Sequence, residues 1–316
     1  MKTIAFHSNQ LGIRGTEVAL YDYAHYNEEI LGNKSYIISS EKADLATLKK
    51  FEKRFEVFLY EDFKDCYQFV EDKNIDCVYY IKAGDNDGKV VPNAKNLIHV
   101  VFQNKDIHGD KYAYVSKWLA SKMNMEGSYV PHIVSLPEPS ENYREALNIP
   151  KDSIVIGRYG GQSEFDLSFV HQEIYNVLQI KKDIVFLFMN TIPFGPEHPN
   201  IIHVNGTHNL QNKSNFINTC DYMIHGRNHG ESFGLAICEF LHEGKPVISW
   251  RGGLDKHHIE LLNDKGIWYE NGSQLNVILT NLKKQHDEIT PGDCKTIVEQ
   301  FSPKNVMKRF GEIFLK

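Results

Sequence analysis

Short apolar runs alternate with longer amphipathic stretches from one end of the chain to the other. Runs of this kind, rich in β-branched and aromatic residues, are the buried strands of parallel sheets, and the amphipathic stretches are the helices that cover them. The pattern predicts strands over 3–7, 34–39, 56–60, 76–81, 96–102, 112–115 and 129–130, with helices over 16–26 and 64–72 among them. Pro131, Pro137, Pro139 and Pro150 then fall close together and mark a crossing linker. Beyond it the alternation restarts, with strands over 154–157, 184–189, 201–204, 222–225, 247–250 and 266–269, and helices that include 169–178 and 235–243. Two consecutive α/β units of similar size imply two Rossmann-like domains, 1–135 and 151–316, joined by a linker over 136–150. They are expected to face each other, with the binding site in the cleft near the carboxyl ends of the strands.

The last segment has its own signature. Ser302 is a candidate N-cap and Pro303 a first helical residue, followed by Val306, Met307, Phe310, Ile313 and Phe314 on one face. A helix over 302–316 is expected to pack back on one of the domains, the N-terminal one included; insertion of its apolar face into a membrane is the alternative.

Charge and cysteine content narrow the class. With 316 residues and a net charge of −6, the chain is no generic binder of nucleic-acid backbones. The basic cluster from Lys49 to Arg54 reads as a solvated helix face, with at most peripheral membrane contact. Cys66, Cys77, Cys220, Cys238 and Cys294 lack any C-x-x-C spacing, and Cys77 and Cys238 lie within apolar runs, as expected of buried thiols in a reducing compartment. No secretory leader or membrane-spanning run is evident, so a cytoplasmic location is expected.

The stretch from His225 to Trp250 carries the chemistry. A strand ends near His225, a loop with Gly226, Gly230 and Gly234 turns the chain, and a helix starts near Leu235. Gly244 and Pro246 stop that helix before the next buried strand. The N–H groups of Phe233, Gly234 and Leu235 would point out of a helix N-terminus, a site suited to a diphosphate. Glu231 and Glu239 stand on either side of it, with seven residues between them. On a helical wheel Glu239 shares a sector with His242 and Glu243, so an ordinary solvated position is the competing reading.

Glu231-Ser-Phe-Gly-Leu-Ala-Ile-Cys-Glu239 resembles the Glu-x7-Glu signature of retaining glycosyltransferases with the GT-B fold, of the group-1 or family-four type. Ser232 stands where the signature usually has glycine. The resemblance is specific over about 45 residues and diffuse elsewhere. It implies an α/β, GT-B-like protein that moves a sugar, with retention, from a UDP- or GDP-sugar to a glycan or other hydroxyl acceptor, without a metal or other cofactor. Glu231 would face the transferred sugar and Glu239 the nucleotide ribose, while the backbone of Phe233, Gly234 and Leu235 would hold the diphosphate.

Further points of likeness extend this. Ile154-Val-Ile-Gly-Arg158 is similar to the strand that opens the family's donor domain, whose Arg neutralises diphosphate charge. The family's second cation, a Lys five residues later, is here Ser163, and Arg227 is the candidate substitute. The loop over 6–17 resembles the family's first glycine loop and brings in Gly15 and Thr16, the latter also a plain N-cap candidate. The stretch over 113–118 looks like the late N-domain strand and helix. Relatives carry an N-domain His on the sugar; here Gln103 takes that place, leaving His108 as a candidate, and His225 and His229 flank the motif.

Three other chemistries compete. Asp85-Asn-Asp87 spells the D-x-D of metal-dependent GT-A transferases, although its flanking Gly84 and Gly88 favour a plain turn. The histidine pairs lack Cys at zinc spacing, and no nucleophile elbow is present. A catalytically silent sugar-nucleotide binder and a GT-B-fold epimerase complete the alternatives.

Overall fold

The computed structural model describes residues 1–12 and 15–316. The chain divides into two compact units, one made of Met1–Ile133 with Gln300–Lys316 and the other of Val134–Glu299.

Unit 1 runs β1 (Thr3–Ser8), α1 (Gly15–Glu29), β2 (Lys34–Ser40), α2 (Leu45–Glu52), β3 (Glu56–Tyr60), α3 (Asp65–Asp72), β4 (Cys77–Lys82), β5 (Lys95–Val100), β6 (Lys111–Tyr114) and α4 (Lys117–Lys122). The strands form one parallel sheet in the order β3-β2-β1-β4-β5-β6. Every residue of β4 is buried, because helices cover both faces of the sheet. The strand expected over 129–130 reduces to an isolated bridge between Tyr114 and Tyr129. Pro131 follows at once, without an N–H to extend the ladder.

Unit 2 runs β7 (Ile154–Tyr159), α5 (Ser168–Ile180), β8 (Ile184–Met189), β9 (Ile201–Val204), α6 (Leu210–Thr219), β10 (Tyr222–His225), β11 (Gly230–Glu231), α7 (Leu235–His242), β12 (Val247–Trp250), β13 (Asp255–Lys256), α8 (His257–Leu262), β14 (Ile267–Tyr269), α9 (Gly272–Asn281) and α10 (Pro291–Val298). Its sheet is again parallel, in the order β14-β12-β10-β7-β8-β9. Read from its own first strand, this is the same doubly wound order as unit 1, with the winding reversing between β7 and β10. The segment before β7 is tied to this unit by Ser140 and Tyr143 on α6 and by Arg144 on Asp221 at 2.7 Å.

The tail returns to unit 1 as α11 (Pro303–Phe310), extended by a π-helical turn over Gly311–Leu315. Phe310 packs against Phe6, Tyr23 and Tyr79, with ring centroids 6.3, 5.6 and 5.5 Å away. Arg309 donates to the Tyr129 carbonyl at 2.6 Å. Ser302 makes no side-chain cap bond, so the helix start rests on Pro303 alone. All five cysteines are buried and unpaired. Among the described residues, no helix is long and apolar enough to cross a membrane.

Close packing around β7 yields a test. A Cβ at Gly157 would collide with Cys220 Sγ and sit 3.2 Å from Phe240 Cζ. Gly157→Ala is therefore expected to cost about 1–3 kcal/mol in urea unfolding, and adding Cys220→Ala should return part of that loss.

Candidate functional site

β7 and β10 lie side by side at the reversal point of the unit 2 sheet, where neighbouring connections leave in opposite directions and open a crevice. The polar side chains singled out in the sequence collect at their carboxyl ends.

Arg158 is the last but one residue of β7 and is buried, with 5% of its surface exposed. Its guanidinium donates to Thr191 Oγ1 at 2.5 Å and to the Gly161 carbonyl at 3.0 Å. Among the described residues, no carboxylate pairs with it. Burial lowers its pKa to about 10, a loss opposed by the nearby charges of Glu164 and Glu231. It remains a cation at neutral pH, and its direct acceptors among the described residues are neutral oxygens, with Glu164 and Glu231 acting from further away.

From β10 the chain turns through Arg227–Gly230, closed by a Gly230 N–H to Arg227 carbonyl bond of 3.0 Å. The Asn228 N–H bonds Asp166 Oδ1 at 2.7 Å. β11 then pairs in parallel with β13, Gly230 against Asp255 and Glu231 against Lys256. Gly230 has φ +76°, and a Cβ there would strike the Asp255 carbonyl, so no other residue fits. This short ladder fixes the backbone of Glu231.

Glu231 sits between Arg227 and His225. Arg227 Nη1 bonds Oε2 at 3.1 Å, and His225 Nε2 stands 3.5 Å from Oε1. Arg227 also pairs with Glu164 at 2.8 Å. Burial pushes the Glu231 pKa up, but His225 and Arg227 outweigh it and bring the value down to about 2. The carboxylate is therefore ionised throughout the physiological range.

Three residues on, Gly234 takes φ +83° and serves as the N-cap of α7, with no side chain capping that end. Phe233, Gly234 and Leu235 thus stand at a helix start whose first N–H groups have no intrahelical acceptor. Phe233 is held by stacking on His257, with ring centroids 5.4 Å apart, and by a 2.6 Å bond from His257 Nδ1 to its carbonyl. One turn into α7, Glu239 is buried and bonds Lys213 of α6 at 2.8 Å. The helical wheel had left a solvated position open for Glu239; the structure excludes it, because α6 supplies a buried partner.

The unit 1 candidates differ. Gly15 opens α1, so Thr16 lies inside the first turn and is not the N-cap; its hydroxyl donates to Glu17 at 2.9 Å. Ile13 and Arg14, in the same loop, lie outside the described residues. His108 donates from Nδ1 to the Asp106 carbonyl at 2.6 Å and accepts from Lys82 Nζ at 3.2 Å. Lys82 also pairs with Asp87 at 2.5 Å, while Asn104 bonds Asp85 at 2.7 Å. The two D-x-D carboxylates are thus bonded to different partners. Among the described residues, no group of three or more His, Cys, Asp or Glu is placed to hold a metal ion. In unit 2, His229 pairs with Asp255 at 3.3 Å and is half exposed.

The structure therefore gathers Arg158, Arg227, Glu231 and the start of α7, with Glu239 one turn further on. Lys213, Glu164 and Thr191 were not anticipated, since their partners are far away in sequence.

Neither protein-family models nor curated protein sequences match the chain. Solved structures do. A glycosyltransferase from Rickettsia africae is 16% identical, with 99% of this chain and 97% of that one covered at a TM-score of 0.71. Anabaena HepE in complex with UDP-glucose is 13% identical, with 99% of both chains covered at a TM-score of 0.76. WaaG, a glycosyltransferase involved in lipopolysaccharide biosynthesis, is 12% identical over 98% of this chain and 99% of that one, at a TM-score of 0.65.

The charge on Glu231 has a consequence for stability. Its folded pKa is depressed from 4.5 to about 2, so its contribution is fully present above about pH 5 and is lost as pH falls towards 2. Across that window, Glu231→Gln should lose less unfolding free energy than the native chain, measured by urea denaturation at each pH.

Proposed function

From the GT-B fold that the chain shares with these structures, we propose that it transfers a sugar from a nucleotide-diphosphate donor to a hydroxyl acceptor, with retention at the anomeric carbon. The observation that carries the reading is Arg158, a buried cation with no carboxylate partner among the described residues, at the sheet reversal beside the loop that leads into α7. A diphosphate would supply the missing negative charge. Its oxygens would take the N–H groups of Gly234 and Leu235, where the helix dipole adds to the attraction.

The roles follow from position. Glu231, ionised beside Arg227, faces the transferred sugar and stabilises positive charge that develops at the anomeric carbon. Arg158 and the start of α7 stabilise the departing phosphate. Glu239 hydrogen-bonds the ribose, in exchange for or together with its contact to Lys213. Arg227, paired with Glu231 and Glu164, is assigned to the donor as the second cation of the site. Leaving-group stabilisation by an arginine and a helix terminus is the basis for proposing transfer without a metal. Gly15 and Thr16 are assigned to the donor, and His108 to the transferred sugar. The complexes of HepE with UDP-glucose and with UDP favour a uridine nucleotide as the first donor to try.

A thermal-shift screen with UDP, GDP, ADP and their sugar conjugates, each with Mn²⁺ or EDTA, tests the donor. Metal-independent stabilisation by one nucleotide family, lost in Glu239→Ala, is the expected result. A shift only with Mn²⁺, abolished by changing Asp85 and Asp87, would replace this reading with the D-x-D one. For the chemistry, Glu231→Ala is expected to cut turnover by at least about 10²-fold while leaving binding of the free nucleotide unchanged. Full turnover in that variant would remove Glu231 from its assigned role.

A further inference from the structure

β10 ends on His225, and its two ring nitrogens are used unequally. The residue is buried and pairs in register with Ser249 on β12. Nδ1 stands 3.0 Å from Ser249 Oγ. Among the described residues Nε2 makes no hydrogen bond, and it stands 3.5 Å from Glu231 Oε1.

The proton position follows from the neighbours. An ionised carboxylate only accepts, so a lone pair on Nε2 would be repelled by it, whereas a proton there turns the contact into an attraction. Ser249 favours that tautomer, because its hydroxyl can donate to Nδ1; its other acceptor, the Trp250 carbonyl, is more distant at 3.4 Å. The ring is held from further sides. His258 of α8 packs 4.7 Å away, ring to ring, and donates to the Trp250 carbonyl at 3.1 Å. Tyr269 of β14 donates to the His225 carbonyl at 2.7 Å.

A carboxylate gripped by one oxygen still turns about its last torsion, which is broad. Donors on both oxygens fix its plane. We propose that His225 is a positioning residue for Glu231: its Nε2–H holds Oε1 while Arg227 holds Oε2, so the carboxylate is oriented before a sugar arrives. The inference rests on the reading that Glu231 faces the sugar, and it adds that the orientation of that carboxylate is built into the sheet through Ser249.

Two substitutions separate this from a packing role. In His225→Gln the amide nitrogen stands about where Nε2 stands, and the donor to Glu231 is kept. In His225→Asn the amide reaches only the Nδ1 position, so the Ser249 contact is kept and the donor lost. With UDP-glucose as probe and UDP release as readout, the Gln variant should stay near the native rate. The Asn variant should lose about 10- to 100-fold in kcat with KM little changed. Equal rates in the two variants, with Glu231→Ala inactive, would overturn the proposal.

A second measurement needs no turnover. The ¹⁵N shifts of the His225 imidazole should report a neutral ring protonated on Nε2 in the native protein, and that preference should weaken in Glu231→Gln, where the carboxylate charge is gone. A ring protonated on Nδ1 in the native protein would overturn the contact itself. Full turnover in Glu231→Ala would instead overturn the reading of Glu231, and these two failures are distinct.

Discussion

Charge taken out of water must be answered inside the fold, and the crevice of unit 2 is organised by how that demand is met. Moving an ion from water into the interior costs several kcal/mol even after relaxation. Lys213 and Glu239 meet the cost by pairing with each other. Arg227 spreads its charge between Glu164 and Glu231. Among the described residues, Arg158 bonds directly only a hydroxyl and a carbonyl, with Glu164 and Glu231 more distant. The result is an ion pair closed on itself at Glu239 and an arginine at the end of β7 whose direct acceptors, among the described residues, are neutral.

The sheet determines where this happens. In both units the strand order reverses beside the first strand, so both carry a crevice at their carboxyl ends. The contents differ. At the end of β4 in unit 1, Lys82 is met by Asp87 and His108. His7 nearby is buried and neutral, its pKa lowered to about 3 by desolvation and by the charge of Lys89. A fold shared by the two units thus carries different charge arrangements at the two carboxyl ends.

Much of this was legible in the chain. Strands such as β4 and β8 are buried along their whole length, so their apolar runs announce themselves. The turn before α7 was readable from its glycines, because Gly230 and Gly234 adopt backbone conformations that other residues resist. What was not readable depends on contacts between distant segments. Periodicity alone left Glu239 room on a solvated face; α6 covers it, and nothing local to Lys213 says that its ammonium is buried there. The orientation of His225 was equally hidden, since it rests on strand register rather than on sequence spacing. The histidine-rich composition is explained piece by piece: His257 and His258 each bond a backbone carbonyl and are kept neutral by burial.

The return of α11 to unit 1 has a consequence for how the chain is made. Unit 2 is one continuous stretch, whereas unit 1 is interrupted and takes back Gln300–Lys316. On a ribosome, the sheet of unit 1 emerges first, but the apolar surface around Phe6, Tyr23 and Tyr79 has to wait for Phe310 and Phe314. All of unit 2 is synthesised in that interval, roughly ten to thirty seconds at ordinary rates. During it the nascent chain presents an aromatic patch that its own sequence will later cover. Unit 2 is therefore the part able to complete its core first.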